Sequence, residues 1–374
     1  MTDHKPIAAA RPLFEEQDIT EITAGIAEVL RSGRLILGKR VLGVEQTYAR
    51  RLGLAHAVGL SSCTAALEIA FRHCGVKGRE VVVPTNTFVA TAGAVLAAGG
   101  RPVVCDVDPS DWCLDVDDAL SRITPRTAAV VVVHIGGLIA SGIARLRDEC
   151  RRREITLIED CAHAHGATLE GREAGGLADI GCFSFYPTKV LTCGVGGLIA
   201  TNDEALAKLA RTLRHHGAGD SLEEIVQIGN DWLLDEVHAV ILANQLSRLD
   251  ERLATRRALA QRYDRMLEGV PVVRPSPMLG SKPAWYKYAV LLPEGTDGTA
   301  IRARFTKDYA IEVGCLYYPP VHLMPAFRTE LGTGPGMLPT AEALMPRQIT
   351  LPMHAALTEA DVDRSVEALR ELLR

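Results

Sequence analysis

Residues 127–163 read TAAVVVVHIGGLIASGIARLRDECRRREITLIEDCAH and decide the fold. Two apolar runs rich in β-branched residues, TAAVVVVHIG and ITLIEDCAH, flank the helical segment IARLRDECRRR, whose closing arginines suit a helix C-terminus. Strands joined through a helix lie parallel in one sheet, because the crossover returns the chain in the same direction. This stretch therefore predicts a strand–helix–strand unit of a parallel sheet.

The same alternation extends from about residue 55 to residue 205. Further strand-like runs are REVVVPTNTF, RPVVCDV, DIGCFSFY and GGLIATN, and helical segments include TAALEIAFRHC and VATAGAVLAAGG. Short buried strands that alternate with helices predict an α/β fold with a largely parallel sheet covered on both faces.

The remaining segments predict how the domains are divided. EEQDITEITAGIAEVLRSG predicts an N-terminal helix, and residues 235–269 predict one long, bent helix with an apolar stripe. Beyond it, the strand WYKYAVLLP and the helices GTAIRARFTKDYA and TEADVDRSVEALRELLR predict a smaller α+β domain. We expect a large domain over residues 1–250, which includes the N-terminal helix, and a small domain over residues 251–374.

Composition excludes several classes of function. The 374 residues carry a formal net charge of −5, which gives no electrostatic basis for binding nucleic acid or an anionic membrane. The nine cysteines form no CxxC pair and no tight cluster with histidine, so neither a disulfide framework nor a metal site is predicted. No apolar run reaches the roughly 18 residues of a membrane span, and the first residues lack a signal-peptide hydrophobic region. We expect a cytoplasmic protein with reduced thiols.

Lys189 is the only charged residue between Asp179 and Asp203, in the run DIGCFSFYPTKVLTCGVGGLIATND. Burial of a lysine disfavours its ammonium form and lowers its pKa from about 10.4. Such a lysine either extends to the surface or is retained because its neutral amine does chemistry.

Two other segments support the chemical interpretation of Lys189. In GLSSCTAALEIAF, Ser62, Cys63 and Thr64 lead into a helix, where N–H groups and hydroxyls can bind an anion or simply form an N-cap. In LIEDCAHAHGA, Glu159 and Asp160 close an apolar strand at the edge where open α/β sheets bind ligands, although either could only cap a helix.

An anion site, a carboxylate at a strand end and a lysine in an apolar loop are the groups that pyridoxal phosphate (PLP) requires. Ser184 can add a phosphate contact, and Phe88 offers an aromatic face to the ring. His163 can donate to a neighbouring oxygen. A metal site at His163 and His165 is poorly supported, because two residues apart on a loop is not ligand spacing.

These segments, in this order, resemble the DegT/StrS family of sugar aminotransferases along nearly the whole chain. Further matching segments are SGRLILGKRVLGVEQTYARRLG, PTNTFVATAGAVLAAGGRPVVCDVD, QLSRLDERLATRRALAQRY and PTAEALMPRQITLPMH. The resemblance implies the fold type I architecture of PLP enzymes, in which a mainly parallel seven-stranded sheet lies between helices in the large domain.

The resemblance also implies roles for single residues. Lys189 is the expected Schiff-base lysine, and Asp160 the partner of the pyridine nitrogen. His163 is expected near the phenolic oxygen of PLP. Thr64 and Ser184 are expected at the phosphate, with Ser62 and Cys63 beside them, and Phe88 against the ring. A lysine at position 189 fits transamination, because the sugar dehydratases of the family carry histidine there.

The implied reaction moves an amino group from glutamate or glutamine to the keto carbon of a nucleotide-linked sugar. An inosose-type cyclitol is an alternative acceptor that these motifs do not separate, and a non-catalytic regulator is a third hypothesis. Candidate substrate residues are Trp232, Tyr317, Tyr318 and His322. A homodimer with shared active sites is implied.

The chain departs from the family at four positions. Cys63 replaces a glycine of the phosphate site, and Val195 replaces an acid. Asp231 stands where the family has an asparagine that reaches the phosphate in the partner subunit, and Leu233 stands where the family has arginine. Either Asn230 takes over the role after a shift of one residue, or the loop is arranged differently.

Overall fold

A computed structural model of the protein describes residues 5–374, so residues 1–4 of the predicted large domain lie outside it. The helices are α1 Glu16–Ser32, α2 Lys39–Leu52, α3 Cys63–His73, α4 Val89–Ala97, α5 Val116–Ser121, α6 Ile143–Arg152, α7 Glu204–Leu213, α8 Glu236–Ser247, α9 Leu249–Met266, α10 Gly298–Tyr309, α11 Pro325–Leu331, α12 Pro339–Leu344 and α13 Glu359–Leu372. The strands are β1 His56–Leu60, β2 Glu80–Pro84, β3 Arg101–Cys105, β4 Thr127–Val133, β5 Thr156–Asp160, β6 Thr168–Leu169, β7 Arg172–Glu173, β8 Ile180–Ser184, β9 Gly197–Thr201, β10 Ser281–Lys282, β11 Tyr288–Leu291 and β12 Gln348–Leu351.

The centre of the fold is a seven-stranded sheet in the order β1-β9-β8-β5-β4-β2-β3. Strands β2, β3, β4, β5 and β8 pair in parallel, whereas β9 pairs antiparallel with both β8 and β1. Only β9 therefore runs against the others. The expected mainly parallel, seven-stranded α/β sheet is confirmed, and it places the ends of β1, β2, β4, β5 and β8 along one edge.

Strand β4 illustrates why these segments became strands. All seven residues of its sequence TAAVVVV are buried, and five of the six apolar ones have less than 4% of their surface exposed. A strand covered on both faces has no alternation of polar and apolar residues, and β-branched valines fit the pleated backbone.

Two clusters of buried apolar side chains form the core. The larger cluster surrounds the seven-stranded sheet. The smaller one joins α9, α10 and α13 with β11 and β12, and it also takes in Ile7. We propose that the smaller cluster is the core of the small domain expected over residues 251–374.

The helix expected over residues 235–269 is two helices, so that prediction was wrong. α8 ends at Ser247 and α9 begins at Leu249, with Arg248 between them at φ −98° and ψ 0°. Arg248 and Arg252 both donate to the carboxylate of Asp18, at 3.3 Å and 2.9 Å, and thereby fix α1 against this junction. A carboxylate with 1% exposure is stable only when it is paired in this way.

Among residues 5–374, we find no helix with the length and apolar character that crossing a bilayer would require.

Candidate active site

A cavity of about 360 Å³ lies at the edge of the sheet where the parallel strands end. Its lining comes from the segments after β1, β2, β5 and β8, from the start of β9, and from residues 286 and 317 nearer the C-terminus. Asp160 and Lys189 are the only charged side chains among its lining residues. The cavity therefore holds one potential anion and one amine in largely uncharged surroundings.

Most of the residues expected at the site meet in this cavity. Those that line it are Ser62, Cys63, Thr64, Phe88, Asp160, His163, Ser184, Lys189 and Tyr317. They lie up to 255 positions apart in the chain, and the parallel strands bring them to one edge.

Lys189 lies in the turn that follows β8, and its backbone N–H donates to the carbonyl of Tyr186 at 3.0 Å. Its side chain is half-buried, and Nζ lies 4.8 Å from the centre of the Tyr286 ring. The Tyr286 ring and the cavity wall thus keep the amine of Lys189 at the cavity. A nucleophilic lysine must lie there to reach a bound ligand.

Asp160 ends β5 with its carboxylate pointing into the site. One oxygen accepts a hydrogen bond from the hydroxyl of Thr91 at 2.8 Å, and the other accepts from the N–H of Ala162 at 3.1 Å. Burial raises the pKa of Asp160, and these two hydrogen bonds and Lys189 oppose part of that rise. A cationic ligand group placed against Asp160 would stabilise its charged form.

His163 is neutral, and its hydrogen bonds assign its tautomer. The N–H of Gly136 donates to Nδ1 at 3.2 Å, so the ring proton is on Nε2 and is donated to the hydroxyl oxygen of Tyr317 at 2.6 Å. Burial lowers the pKa of His163 well below 6.5, and Lys189 lowers it further. The ring is therefore uncharged at neutral pH.

The start of α3 lies at the cavity, where the sequence predicts an anion site. Ser62 is the N-cap, and its oxygen accepts from the N–H of Ala65 at 3.1 Å. The first N–H groups of a helix have no partner within the helix, and they lie at the positive end of its dipole. Cys63 is buried beside Asp160, with Sγ 4.0 Å from the carboxylate, whereas Thr64 is exposed at the cavity. The cysteine that replaces glycine is thus accommodated without blocking the helix end.

Gly197 allows β9 to approach this helix start closely. A Cβ atom at position 197 would lie 2.1 Å from the carbonyl carbon of Ser62 and 2.5 Å from the backbone nitrogen of Cys63. Real Cβ atoms do not approach backbone so closely, so a side chain here displaces the anion site.

We expect Gly197→Ala to lower the affinity for the phosphorylated cofactor by at least about tenfold, or about 1.4 kcal/mol. It should also reduce the free energy of unfolding by about 1–3 kcal/mol, since the added methyl group overpacks the core. Gly43→Ala is the control, because a Cβ atom at that position in α2 meets nothing within 4 Å. Cofactor titration and urea denaturation of both variants test this, and unchanged cofactor affinity in Gly197→Ala contradicts it.

His165 and Glu159 form hydrogen bonds that fix the segments around the site. His165 bridges the hydroxyl of Tyr48 and the carbonyl of Ser184, both at 2.7 Å, and burial lowers its pKa to about 4. Glu159 accepts from three backbone N–H groups of residues 175–178 at 2.7–2.8 Å, and His134 lies 2.9 Å from it. Both side chains are committed to hydrogen bonds. We therefore propose no metal site at the buried trio His134, Glu159 and Cys161, although their ligand atoms lie within 4.8 Å of one another.

Tyr286 is a site residue that the sequence analysis missed. Its ring centre lies 4.3 Å from that of His163, and its hydroxyl is 3.0 Å from the hydroxyl of Thr188. Burial raises the pKa of Tyr286, but the positive charges of Lys189, Lys287 and Arg256 and the hydrogen bond with Thr188 together outweigh burial, so the pKa lies below 10. The segment WYKYAVLLP was interpreted only as a strand, and nothing in it signalled proximity to Lys189.

Thr91 and Thr87 were also missed. Their hydroxyls lie 2.6 Å apart, and Thr91 donates to Asp160. The two threonines flank Phe88 in the segment PTNTFVAT. The many hydroxyl side chains of this segment were the sequence feature that could have identified them as site residues.

Five of the expected residues do not line this cavity. Asn230 and Asp231 are exposed in the segment between α7 and α8. Trp232 is half-buried, with its carbonyl accepting from the N–H of Ser61 at 2.8 Å. Tyr318 is 41% exposed. The remaining residue is His322.

His322 is fully buried and does not line the cavity. Its contact with a substrate stays a prediction. Its Nδ1 lies 2.7 Å from the hydroxyl of Thr85, and its Nε2 lies 3.1 Å from the carboxylate of Glu342. The side chain therefore connects the end of β2 to α12, because the 3-10 turn at residues 321–323 directs it inward.

The other two departures from the family also have defined positions. Val195 is 55% exposed and lines the cavity near Lys189. Leu233 forms an isolated β-bridge with Leu60 at the end of β1. Neither position therefore carries a charge to the site.

Comparisons with known proteins agree with this geometry. The sequence profile of the DegT/DnrJ/EryC1/StrS aminotransferase family matches residues 16–370. The dTDP-3-amino-3,4,6-trideoxy-alpha-D-glucose transaminase of Micromonospora megalomicea subsp. nigra is 39% identical over 371 residues, which cover 96% of each chain. The L-glutamine:2-deoxy-scyllo-inosose aminotransferase of Streptomyces kanamyceticus is 35% identical over 93% of this chain and 90% of its own length. The PLP form of Spr1654 from Streptococcus pneumoniae superposes with a TM-score of 0.91 at 26% identity, covering 99% of both chains.

Proposed function

Because the chain belongs to the DegT/DnrJ/EryC1/StrS aminotransferase family and is a transaminase, we propose that its amino acceptor is a nucleotide-linked ketosugar. Glutamate or glutamine is the proposed amino donor. The observation that supports a transamination site is that Lys189 and Asp160 are the only charged groups among the residues lining one cavity. The Micromonospora transaminase, which is named for a dTDP-linked amino sugar, supports the nucleotide-sugar acceptor.

PLP is the proposed cofactor, in keeping with the PLP dependence of the family. When bound, PLP supplies the aldehyde and the electron-withdrawing ring that transamination requires. The residues present fit it. The buried carboxylate of Asp160 would hold a protonated ring nitrogen and would thereby be stabilised in its charged form, and the start of α3 with Thr64 and Ser184 would hold the phosphate.

Lys189 and Phe88 complete the proposed site. The amine of Lys189 binds the cofactor covalently and moves a proton at Nζ, because it is the only amine among the residues that line the cavity. Phe88, which is 55% exposed at the cavity, offers its ring face for stacking.

A homodimer is the proposed assembly. Asn230 and Asp231 are exposed and do not line the cavity of their own chain, so they are available to the cavity of a second subunit. The segment that leads to them exposes Ile225, Val226 and Ile228 by 50%, 55% and 83%, and exposed apolar side chains of this kind suit a subunit interface.

A cytoplasmic location remains a prediction from the sequence.

A cyclitol ketone is the second candidate acceptor. The Streptomyces relative named for 2-deoxy-scyllo-inosose favours it at nearly the same identity. Both kinds of acceptor are polyhydroxylated ketones, and neither needs a charged side chain beside the keto carbon.

The acceptor is identified by assaying the PLP-loaded enzyme with dTDP- and UDP-linked ketosugars and with 2-deoxy-scyllo-inosose, each with glutamate and with glutamine. We expect amination of a nucleotide-linked ketosugar, detected by mass spectrometry, with the Lys189→Ala variant as the inactive control. Amination of the inosose alone overturns the nucleotide-sugar proposal in favour of the cyclitol. Failure of every acceptor, while the enzyme still converts glutamate to 2-oxoglutarate, contradicts both acceptors but not the transaminase assignment.

A further inference from the structure

We infer that Tyr317, rather than His163, presents the hydrogen-bond donor that binds the phenolic oxygen of PLP. This inference rests on the proposed function. The resemblance to the family places His163 near that oxygen, but in this chain the Tyr317 hydroxyl lies 2.6 Å from Nε2 of His163. Nε2 of His163 is therefore already engaged, and Tyr317 also lines the cavity.

The direction of the hydrogen bonds fixes which atom donates. Nδ1 of His163 accepts from the N–H of Gly136, so Nε2 carries the proton and donates it to the oxygen of Tyr317. The Tyr317 hydroxyl therefore keeps its own hydrogen for another acceptor. No hydrogen bond other than that with His163 occupies this hydroxyl among residues 5–374. The chain from Gly136 through His163 to Tyr317 thus ends in a free donor at the cavity, and successive bonds of such a chain polarise one another.

Tyr317 is held in this position by its surroundings. Its ring is stacked on His163 at 5.6 Å between centres and lies 5.8 Å from the ring of Phe88. Its backbone has φ +28°, a left-handed conformation that is unfavourable for a bulky residue. The neighbouring residue Leu316 is fixed through its N–H, which donates at 2.8 Å to the side chain of the buried Gln348. A strained residue that is held by several contacts is typical of ligand-binding positions.

The hydroxyl keeps its proton at working pH. Burial raises the pKa of Tyr317 well above 10, and the charges of Tyr286 and Asp160 raise it further. Burial lowers the pKa of His163 well below 6.5, so neither group changes its protonation between about pH 7 and pH 9. A spectral transition of the holoenzyme in that range therefore does not arise from Tyr317 or His163. Tyr286 and Lys287, whose pKa values are lowered from about 10 by their charged neighbours and by burial respectively, lie beside the same site and are unchanged in every variant.

The test is a pH titration of the visible absorbance of the holoenzyme. Tyr317→Phe keeps the ring and removes the donor. A hydrogen bond to the phenolic oxygen stabilises its anionic form, so its loss should raise the midpoint of the transition by about one pH unit. Tyr309→Phe is the matched control, because that tyrosine is remote from the cavity and its hydroxyl binds Glu371. Its midpoint should equal that of the wild type.

A double-mutant cycle separates Tyr317 from His163. If His163 acts through Tyr317, His163→Gln alone should shift the midpoint less than Tyr317→Phe does, and the double variant should shift it no further than Tyr317→Phe alone. Additive shifts overturn the inference, because they show that His163 acts independently of Tyr317. An unchanged midpoint in Tyr317→Phe together with a shift in His163→Gln also overturns it, because this result identifies His163 as the donor. If Tyr317→Phe does not fold, a shift of a full pH unit or more in His163→Gln is the overturning result, because it identifies His163 as the donor. Wild-type protein without a cofactor absorbance would instead refute the proposed function itself.

Discussion

Replacement of Lys189 by alanine is expected to abolish transamination, lowering kcat by at least about 10⁴-fold, the upper end of what one proton-transferring group contributes. In the proposed role of Lys189, the variant loses both the covalent attachment of the cofactor and the group that moves protons at the reacting carbon. Lys189 is the only amine among the residues lining the cavity, so no other side chain there can take over. Steady-state assays with the identified acceptor, and the absorbance of the protein after gel filtration with PLP, measure the two losses.

Lys287→Ala is the matched control for this experiment. The amine of Lys287 lies 5.1 Å from the centre of the same Tyr286 ring, but it does not line the cavity. This variant should retain covalently bound cofactor. Retention of the covalent cofactor by Lys189→Ala and its loss from Lys287→Ala would contradict the assignment.

Asp160→Asn is expected to lower kcat by about 10²–10³-fold, the usual cost of removing one electrostatic stabiliser from an active site. Asparagine preserves the shape and can still accept from Thr91 and Ala162, but it does not hold a proton on the ring nitrogen. The affinity for PLP should fall less than kcat, because the phosphate and ring contacts remain. Kinetics and cofactor titration of the same preparation measure the difference.

Glu159→Gln provides the comparison, since it makes the same chemical change one position earlier on β5. Successive side chains of a strand point to opposite faces, and Glu159 binds backbone N–H groups and His134 instead of the cavity. We expect a loss of about 1–3 kcal/mol in the free energy of unfolding, with the absorbance of the bound cofactor retained. An equal loss of kcat in the two variants, without loss of stability in Glu159→Gln, would contradict the role of Asp160.

The fold was predictable where local pattern and tertiary environment agree. The valine-rich runs at residues 127–133 and 80–84 became buried parallel strands as expected. Strand β1, His56–Leu60, was not identified, because it is short, contains glycine and becomes a strand by pairing with β9. The junction at Arg248 was missed for a similar reason, since the partner that fixes it, Asp18, lies 230 residues earlier.

The sequence allowed us to predict which residues at the strand ends and at the start of α3 line one cavity, although their roles there remain proposals. Asp160 and Lys189 stood out because each is a charged group next to apolar sequence. Tyr286 and Thr91 did not stand out, because their roles depend on which side chains the fold brings against them. His322 does not line the cavity, because its side chain turns inward to Thr85, and its contact with a substrate remains a prediction.

Borohydride reduction of the PLP-loaded protein, followed by peptide mapping with mass spectrometry, tests the central claim most directly. The account predicts a single phosphopyridoxyl group on Nζ of Lys189, in the peptide that follows β8. An adduct on Lys287 or another lysine, or no adduct in protein that has been saturated with PLP, would contradict it.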